Sequence, residues 1–173
     1  MPCREVLSVG TDESVVISGI SGRFPQTDNM RDFARNLYEK RDLVDDRELR
    51  WAHVMPDVPR RTGKVNNLEK FDGEFFGIDR RQRDTMDPQL RMLIEHAYEA
   101  ILDAGVNPET IRGSKTGVFC GACFSETEVR MYYKSCPPKG LGLLGCNKSQ
   151  LANRVSYTLD LKGPSYVMDT ACS

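Results

Sequence analysis

DPQLRMLIEHAYEAILDAG at residues 87–105, with KTGVFCG following at residues 115–121, is the stretch on which the fold class turns. Asp87 is a natural N-cap, and Pro88 suits the first helical position, where its missing N–H is no loss. Leu90, Leu93, Ile94, Ala97, Ile101 and Ala104 then recur at the three-and-four spacing of a buried helical face. This predicts a long helix from Asp87 to about Ala104, stopped by Gly105 with Pro108 just beyond. In the second piece, Thr116-Gly117-Val118-Phe119-Cys120 is compact, partly β-branched and bounded by glycine, which predicts a buried strand over Lys115–Gly121.

Working outward, the alternation continues. Leu151, Ala152, Val155 and Leu159 fall on one side of a helix expected from about Ser149 to Leu159. Gly163-Pro164 ends that segment, and Ser165-Tyr166-Val167-Met168 reads as a strand aimed at Asp169-Thr170-Ala171-Cys172. Upstream, Ser14–Ile20 carries apolar residues on consecutive positions, so a central strand covered on both faces is expected there. Gly19 and Gly22 bracket a turn, Pro25 blocks continuation, and Asn29 caps a helix bearing Met30, Phe33, Ala34 and Leu37. Arg41–Asn67, rich in charge and proline without a sustained period, is expected to be a surface excursion with only short elements. Residues 1–13 are polar and unpatterned, a disordered start to a single ordered unit over 14–173. Strands alternating with helices make the class α/β, a sheet covered by helices.

With 39% apolar residues among 173, the chain has the composition of a soluble globular domain. Its 24 basic and 25 acidic residues are spread along the sequence, so charge offers no reason to expect nucleic acid or an anionic membrane as partner. No run reaches the roughly 18 apolar residues of a membrane span, and the first residues lack the pattern of a secretory signal. A cytoplasmic location is therefore expected, where Cys3, Cys120, Cys123, Cys136, Cys146 and Cys172 are read as reduced thiols and the sequon at Asn147 as silent.

Chemistry concentrates at Cys172. A strand ending in small residues around one cysteine suits a nucleophile, because a turn there presents the thiol at the sheet edge and at the start of a following helix. A buried, inert cysteine closing a core strand fits the same residues. Cys120-Gly121-Ala122-Cys123 has the spacing of a metal knuckle, yet Cys136 and Cys146 form no second knuckle, so no metal site is expected. Gly19-Ile20-Ser21-Gly22 lacks the third glycine and the acidic residue of a dinucleotide site, and Phe24-Pro25 breaks the required helix. His96 lies beside the apolar stripe of the long helix, a boundary position, and His53 offers no partner set. Arg80-Arg81-Gln82-Arg83 reads as a solvated helix surface, with contact to an acidic partner surface as the alternative.

Gly163-Pro164-Ser165 leading through a strand to Asp169-Thr170-Ala171-Cys172-Ser173 resembles the active-site motif of β-ketoacyl synthases. Further segments are similar to that family in its order: Ile20-Ser21-Gly22-Arg23-Phe24-Pro25, Lys70-Phe71-Asp72, Phe75-Phe76-Gly77-Ile78, Met86-Asp87-Pro88-Gln89-Leu90-Arg91, Asp103-Ala104-Gly105 and Ala152-Asn153-Arg154-Val155-Ser156. Arg61-Thr62-Gly63-Lys64 and Met86-Asp87-Pro88-Gln89 lean toward the animal-type fatty acid synthase, with a polyketide synthase ketosynthase as the alternative. The resemblance implies the N-terminal half of a thiolase-like fold, incomplete at its C-terminal end. It implies that Cys172 takes an acyl group as a thioester, with its backbone N–H in the oxyanion hole, and that an acyl–malonyl condensation follows. Acyl and malonyl groups would arrive on the phosphopantetheine of an acyl carrier domain, with no bound cofactor, and the complete enzyme would be a homodimer. Two histidines that the family draws from its second half are absent here, so the 173 residues alone are expected to be inactive. A non-catalytic fragment is the remaining alternative.

Overall fold

The computed structural model describes residues 14–47, 59–133 and 142–172. Helix α1 (Met30–Tyr38) is followed by two short strands, β1 (Val44–Asp45) and β2 (Thr62–Gly63), and by the single-turn helix α2 (Arg80–Arg83). The long helix α3 (Pro88–Asp103) and a 3-10 turn (Pro108–Ile111) lead to strand β3 (Val118–Gly121). Helices α4 (Glu126–Tyr133), α5 (Gly142–Cys146) and α6 (Gln150–Thr158) precede strand β4 (Ser165–Met168). β3 and β4 pair in parallel with Cys120 opposite Val167 and Gly121 opposite Met168, and α6 is the crossover between them. This is the α/β arrangement that the alternation predicts.

Helix α3 forms where its residues require. The Asp87 side chain accepts from Gln89 N at 2.7 Å, Pro88 opens the first turn, and Gly105 leaves the helix at φ +74°. Leu90 and Ile94 point inward and are fully buried against α6, where Leu151, Val155 and Leu159 complete the apolar layer with Ile78, Met86 and Leu161. Each such aliphatic side chain gains about 1.5–3 kcal/mol from leaving water, and this layer is the core of the described residues. Val118 and Val167 pack on it from the sheet side, which fixes β3 and β4 over α6.

Three expectations need correction. Ser14–Ile20 is not a buried central strand: it pairs with no strand among the described residues, and Val15, Val16 and Ile17 are exposed. Consecutive apolar residues signal two covered faces only where a sheet neighbour and a covering layer exist, and neither meets Val15–Ile17 among the described residues. The segment joins the body at its end, where Ile20 N donates to Asp103 Oδ2 at 2.9 Å and Gly19 lies so close to α3 that an added Cβ would stand 2.0 Å from Ala100 O. Second, β3 and β4 are covered on one face only, with Phe119, Tyr166 and Met168 exposed on the other. β3 is also shorter than Lys115–Gly121. Third, the tight turn is at Phe24–Thr27, not between Gly19 and Gly22. Pro25 precedes Gln26 at φ +57°, and Phe24 and Thr27 exchange backbone bonds of 3.1 and 3.0 Å.

Helix α1 starts at Asn29 as expected, its side chain accepting from Asp32 N at 2.8 Å, but Ala34 and Leu37 face solvent. Around the excursion, Asp45 gathers Lys64 Nζ at 3.0 Å, Arg47 Nη2 at 2.7 Å and Gln26 Nε2 at 2.6 Å, tying β1 and β2 to the Phe24–Thr27 turn. The Arg47 and Lys64 cations hold the Asp45 carboxyl at about 2. His53, within the excursion, lies outside the described residues, as do residues 1–13.

Candidate active site

β4 delivers the chain to Asp169, and there the backbone turns. Asp169 Oδ1 accepts from Ala171 N at 3.2 Å, and Ala171 sits at φ +50°, in the left-handed region. For a residue with a Cβ that conformation costs about 1–2 kcal/mol, so the turn is held by its surroundings. The result is an exposed Cys172 immediately beyond the strand end.

The site draws on three further elements. Just past β3, Ala122 N donates to Met168 O at 3.0 Å, which places Cys123 beside the turn with its thiol facing the Asp169 carboxylate. From the turn before α6, Lys148 Nζ reaches Asp169 Oδ2 at 2.8 Å. The ammonium, more than any other neighbour, lowers the Asp169 pKa, and the Ala171 N–H adds to it. The carboxylate in turn raises the Lys148 pKa. An open pocket of about 250 Å³ borders the pair, lined among others by Asn153, Tyr166 and Val167. Asp169 stands in the quoted motif, but its pairing with Lys148 was not read from the sequence, because an ion pair between residues 21 positions apart leaves no local pattern.

The Cys120/Cys123 spacing does not make a knuckle. Cys120 is buried at the end of β3 and Cys123 is exposed, as alternation along an extended segment dictates. Burial pushes the Cys120 thiol pKa up. Among the described residues no three His, Cys, Asp or Glu side chains gather in a metal-binding group. His96 lies half-buried on α3, at its boundary as expected. Its Nδ1 lies 2.8 Å from Ser21 Oγ and 3.0 Å from Glu99 Oε2, while Ser21 Oγ itself donates to Glu99 at 2.5 Å. A serine–histidine–acid relay needs the acid and the serine on different ring nitrogens, and here both meet Nδ1. Arg80, Arg81 and Arg83 lie on α2, Arg80 and Arg81 exposed and Arg83 half-buried.

The family profile of the β-ketoacyl synthase N-terminal domain matches residues 12–173. The chain belongs to the β-ketoacyl synthase family. It is 45% identical over 161 residues to a fatty acid synthase of the goose Anser anser anser, covering 93% of this chain and 46% of that protein. Polyketide synthases are similar too: one component of the phenolphthiocerol/phthiocerol polyketide synthase of Mycobacterium tuberculosis is 44% identical over 127 residues, 73% of this chain and 6% of that protein. Among solved structures, a ketosynthase of the Bacillus subtilis bacillaene synthase superposes with a TM-score of 0.73 at 32% identity, over 90% of this chain and 26% of that one. A Streptomyces albus oxazolomycin ketosynthase domain gives 0.75 at 30%, over 90% and 29%. The fold is thus thiolase-like, and the chain spans about half, or much less, of the length of these relatives. No described helix is long and apolar enough to cross a membrane.

Proposed function

We propose that this chain is the N-terminal part of a β-ketoacyl synthase of the fatty acid synthase type, and that Cys172 is its acyl-accepting nucleophile. The observation that carries the proposal is the turn at Asp169–Cys172, in which an unfavourable φ at Ala171 is maintained and the cysteine thiol is left open to an incoming thioester. The Cys172 thiolate attacks the carbonyl carbon of an acyl thioester on a phosphopantetheine arm. A carbon–sulfur bond forms, the tetrahedral oxyanion is met by backbone N–H groups including that of Cys172, and the phosphopantetheine thiolate leaves and takes up a proton. Malonyl thioester then loses carbon dioxide, its enolate carbon attacks the acyl carbon, and the Cys172 thiolate is expelled as the β-ketoacyl product forms.

The fatty acid synthase type is supported by 45% identity sustained over 161 residues of the goose enzyme, where a polyketide synthase aligned over 174 residues is 34% identical and the mycobacterial one keeps 44% over only 127. A polyketide ketosynthase is the second reading, favoured by the 44% identity within that shorter span. The partners are an acyl carrier domain and, in the complete enzyme, a second copy of the synthase in the cytoplasm. The 173 residues alone are inactive on this reading, since His53 and His96 do not supply the family's histidine pair.

The test is to give acyl and malonyl thioesters to the full-length protein and, in parallel, to the 173-residue chain. β-Ketoacyl product from the full-length protein alone is expected. Turnover by the isolated chain, or none by either, would contradict the proposal. Saturated rather than oxygenated chains released by the full-length protein separate the two synthase types.

A further inference from the structure

Three chain segments far apart in sequence converge on one carboxylate. Asp169 follows β4, Lys148 precedes α6 and Cys123 follows β3, and the carboxylate they share also holds the Ala171 N–H. Its two oxygens are divided between two tasks. Oδ1 accepts from the backbone of the turn at 3.2 Å, and Oδ2 accepts from Lys148 Nζ at 2.8 Å. A carboxylate bound through only one oxygen can rotate about its χ2 torsion, which is broad and roughly two-fold. One bound through both is fixed.

We propose that Lys148 is a positioning residue for acyl transfer: by clamping Asp169, it fixes the Ala171 hydrogen bond and with it the turn that presents Cys172. This rests on the reading of Cys172 as the nucleophile. Ala171 at φ +50° relaxes toward commoner conformations once its N–H is released, and the thiol moves with it. Lys148 also sits near Cys123 and Glu128, so its charge is set among anionic or neutral groups and it keeps its proton over the working range. The pair is well exposed, with 34% of the Lys148 side chain and 41% of the Asp169 side chain open to solvent. Ion pairs of that exposure contribute little to global stability, so an effect on catalysis is separable from unfolding.

The experiment uses the full-length synthase and follows transfer of an acyl group from a thioester to the protein. Lys148→Met is expected to lower kcat by about fivefold to a hundredfold, the range for a misplaced reacting group, with KM for the thioester unchanged within about twofold. Lys148→Arg, which keeps the cation on Asp169, restores kcat, and the melting temperature of both stays near that of the parent. Asp169→Asn lowers kcat in the same direction, and the Lys148→Met/Asp169→Asn double variant is no worse than the weaker single variant, because the two act as one unit. Lys162→Met removes a more exposed pair with Asp160 and leaves kcat unchanged.

A Lys148→Met enzyme with parental kcat, a defect confined to KM, or failure of Lys148→Arg to rescue would overturn the proposal. Cys172→Ala separates the two levels. If it still accepts and transfers acyl groups, the reading of Cys172 falls and this inference with it. If it is inert while Lys148→Met is normal, the inference alone falls.

Discussion

At the scale of single residues, burial and charge sort the thiols and carboxyls into distinct behaviours. Cys120 and Cys146 are buried, with pKa values raised first by loss of solvation and, for Cys146, further by Glu128 and Asp87. Cys123 and Cys172 are exposed. Alkylation of the folded protein near neutral pH should therefore label Cys123 and Cys172 about tenfold or more faster than Cys120 and Cys146, as peptide mass spectrometry would show. Equal labelling of all four would mean that the sheet does not form as described. Asp45 offers a second check at this scale. Its folded pKa of about 2 lies below the ordinary 3.8, so its ion pairs stabilise the excursion fully above that ordinary value and are lost as pH falls through about 2. Carboxyl NMR should find that low midpoint in the folded protein, and Lys64→Met should raise it, Lys64 being the second of the two cations that hold the proton off. A midpoint near 3.8 in the parent would contradict the Asp45 cluster. The assignment of Cys172 comes from the resemblance of Asp169–Ser173 to the family motif, the small residues alone leaving a core cysteine equally open, whereas the roles of Asp45 and Lys148 left no local signal, because their partners are set by folding rather than by sequence neighbours.

At the scale of elements, α3 was readable nearly to its ends because three signals agree: the Asp87 cap with Pro88, the apolar stripe and the Gly105 stop. Asp87 does more than cap. Its Oδ2 accepts from Ser125 Oγ at 2.5 Å, and Ser125 Oγ in turn accepts from Glu128 N at 3.1 Å, so one buried carboxylate joins the starts of α3 and α4. Asp87→Ala should cost at least the loss of an N-cap, about 0.5–2 kcal/mol, with the unsatisfied Ser125 adding to it. Ile94→Ala should cost about 2–5 kcal/mol, because Ile94 is wholly buried against α6. Chemical denaturation of each variant measures both, and an Ile94→Ala loss below that of Asp87→Ala would contradict the placement of the core. The strand at Ser14–Ile20 misled for a physical reason. A consecutive apolar run reports a wish for two covers, and Val15–Ile17 find neither among the described residues. α4 and α5 had no comparable signal, since α4 has no buried residue to give its sequence a stripe.

At the scale of the whole molecule, the unpaired apolar surface is the dominant feature. Val15, Val16 and Ile17 are exposed, as are Phe119, Tyr166 and Met168 on the open face of the β3–β4 pair, and among the described residues both strands have an unpaired edge. Exposed apolar strands with free edges associate, so the isolated 173-residue chain should form oligomers or aggregates and bind hydrophobic dyes. Sizing by light scattering would show this, and a monodisperse monomer with a sharp cooperative melt would count against it. The family and its thiolase-like class were legible because the motifs lie in order along most of the chain, while which faces stay open depends on contacts beyond any local pattern. The decisive measurement is the location of the acyl group. Full-length protein incubated with an acyl thioester, without malonyl thioester, then digested and read by mass spectrometry, should carry the acyl mass on the peptide containing Cys172, with none in Cys172→Ala. An acyl group found on Cys123 or elsewhere, or condensation that survives in Cys172→Ala, would contradict the assignment of Cys172 as the nucleophile.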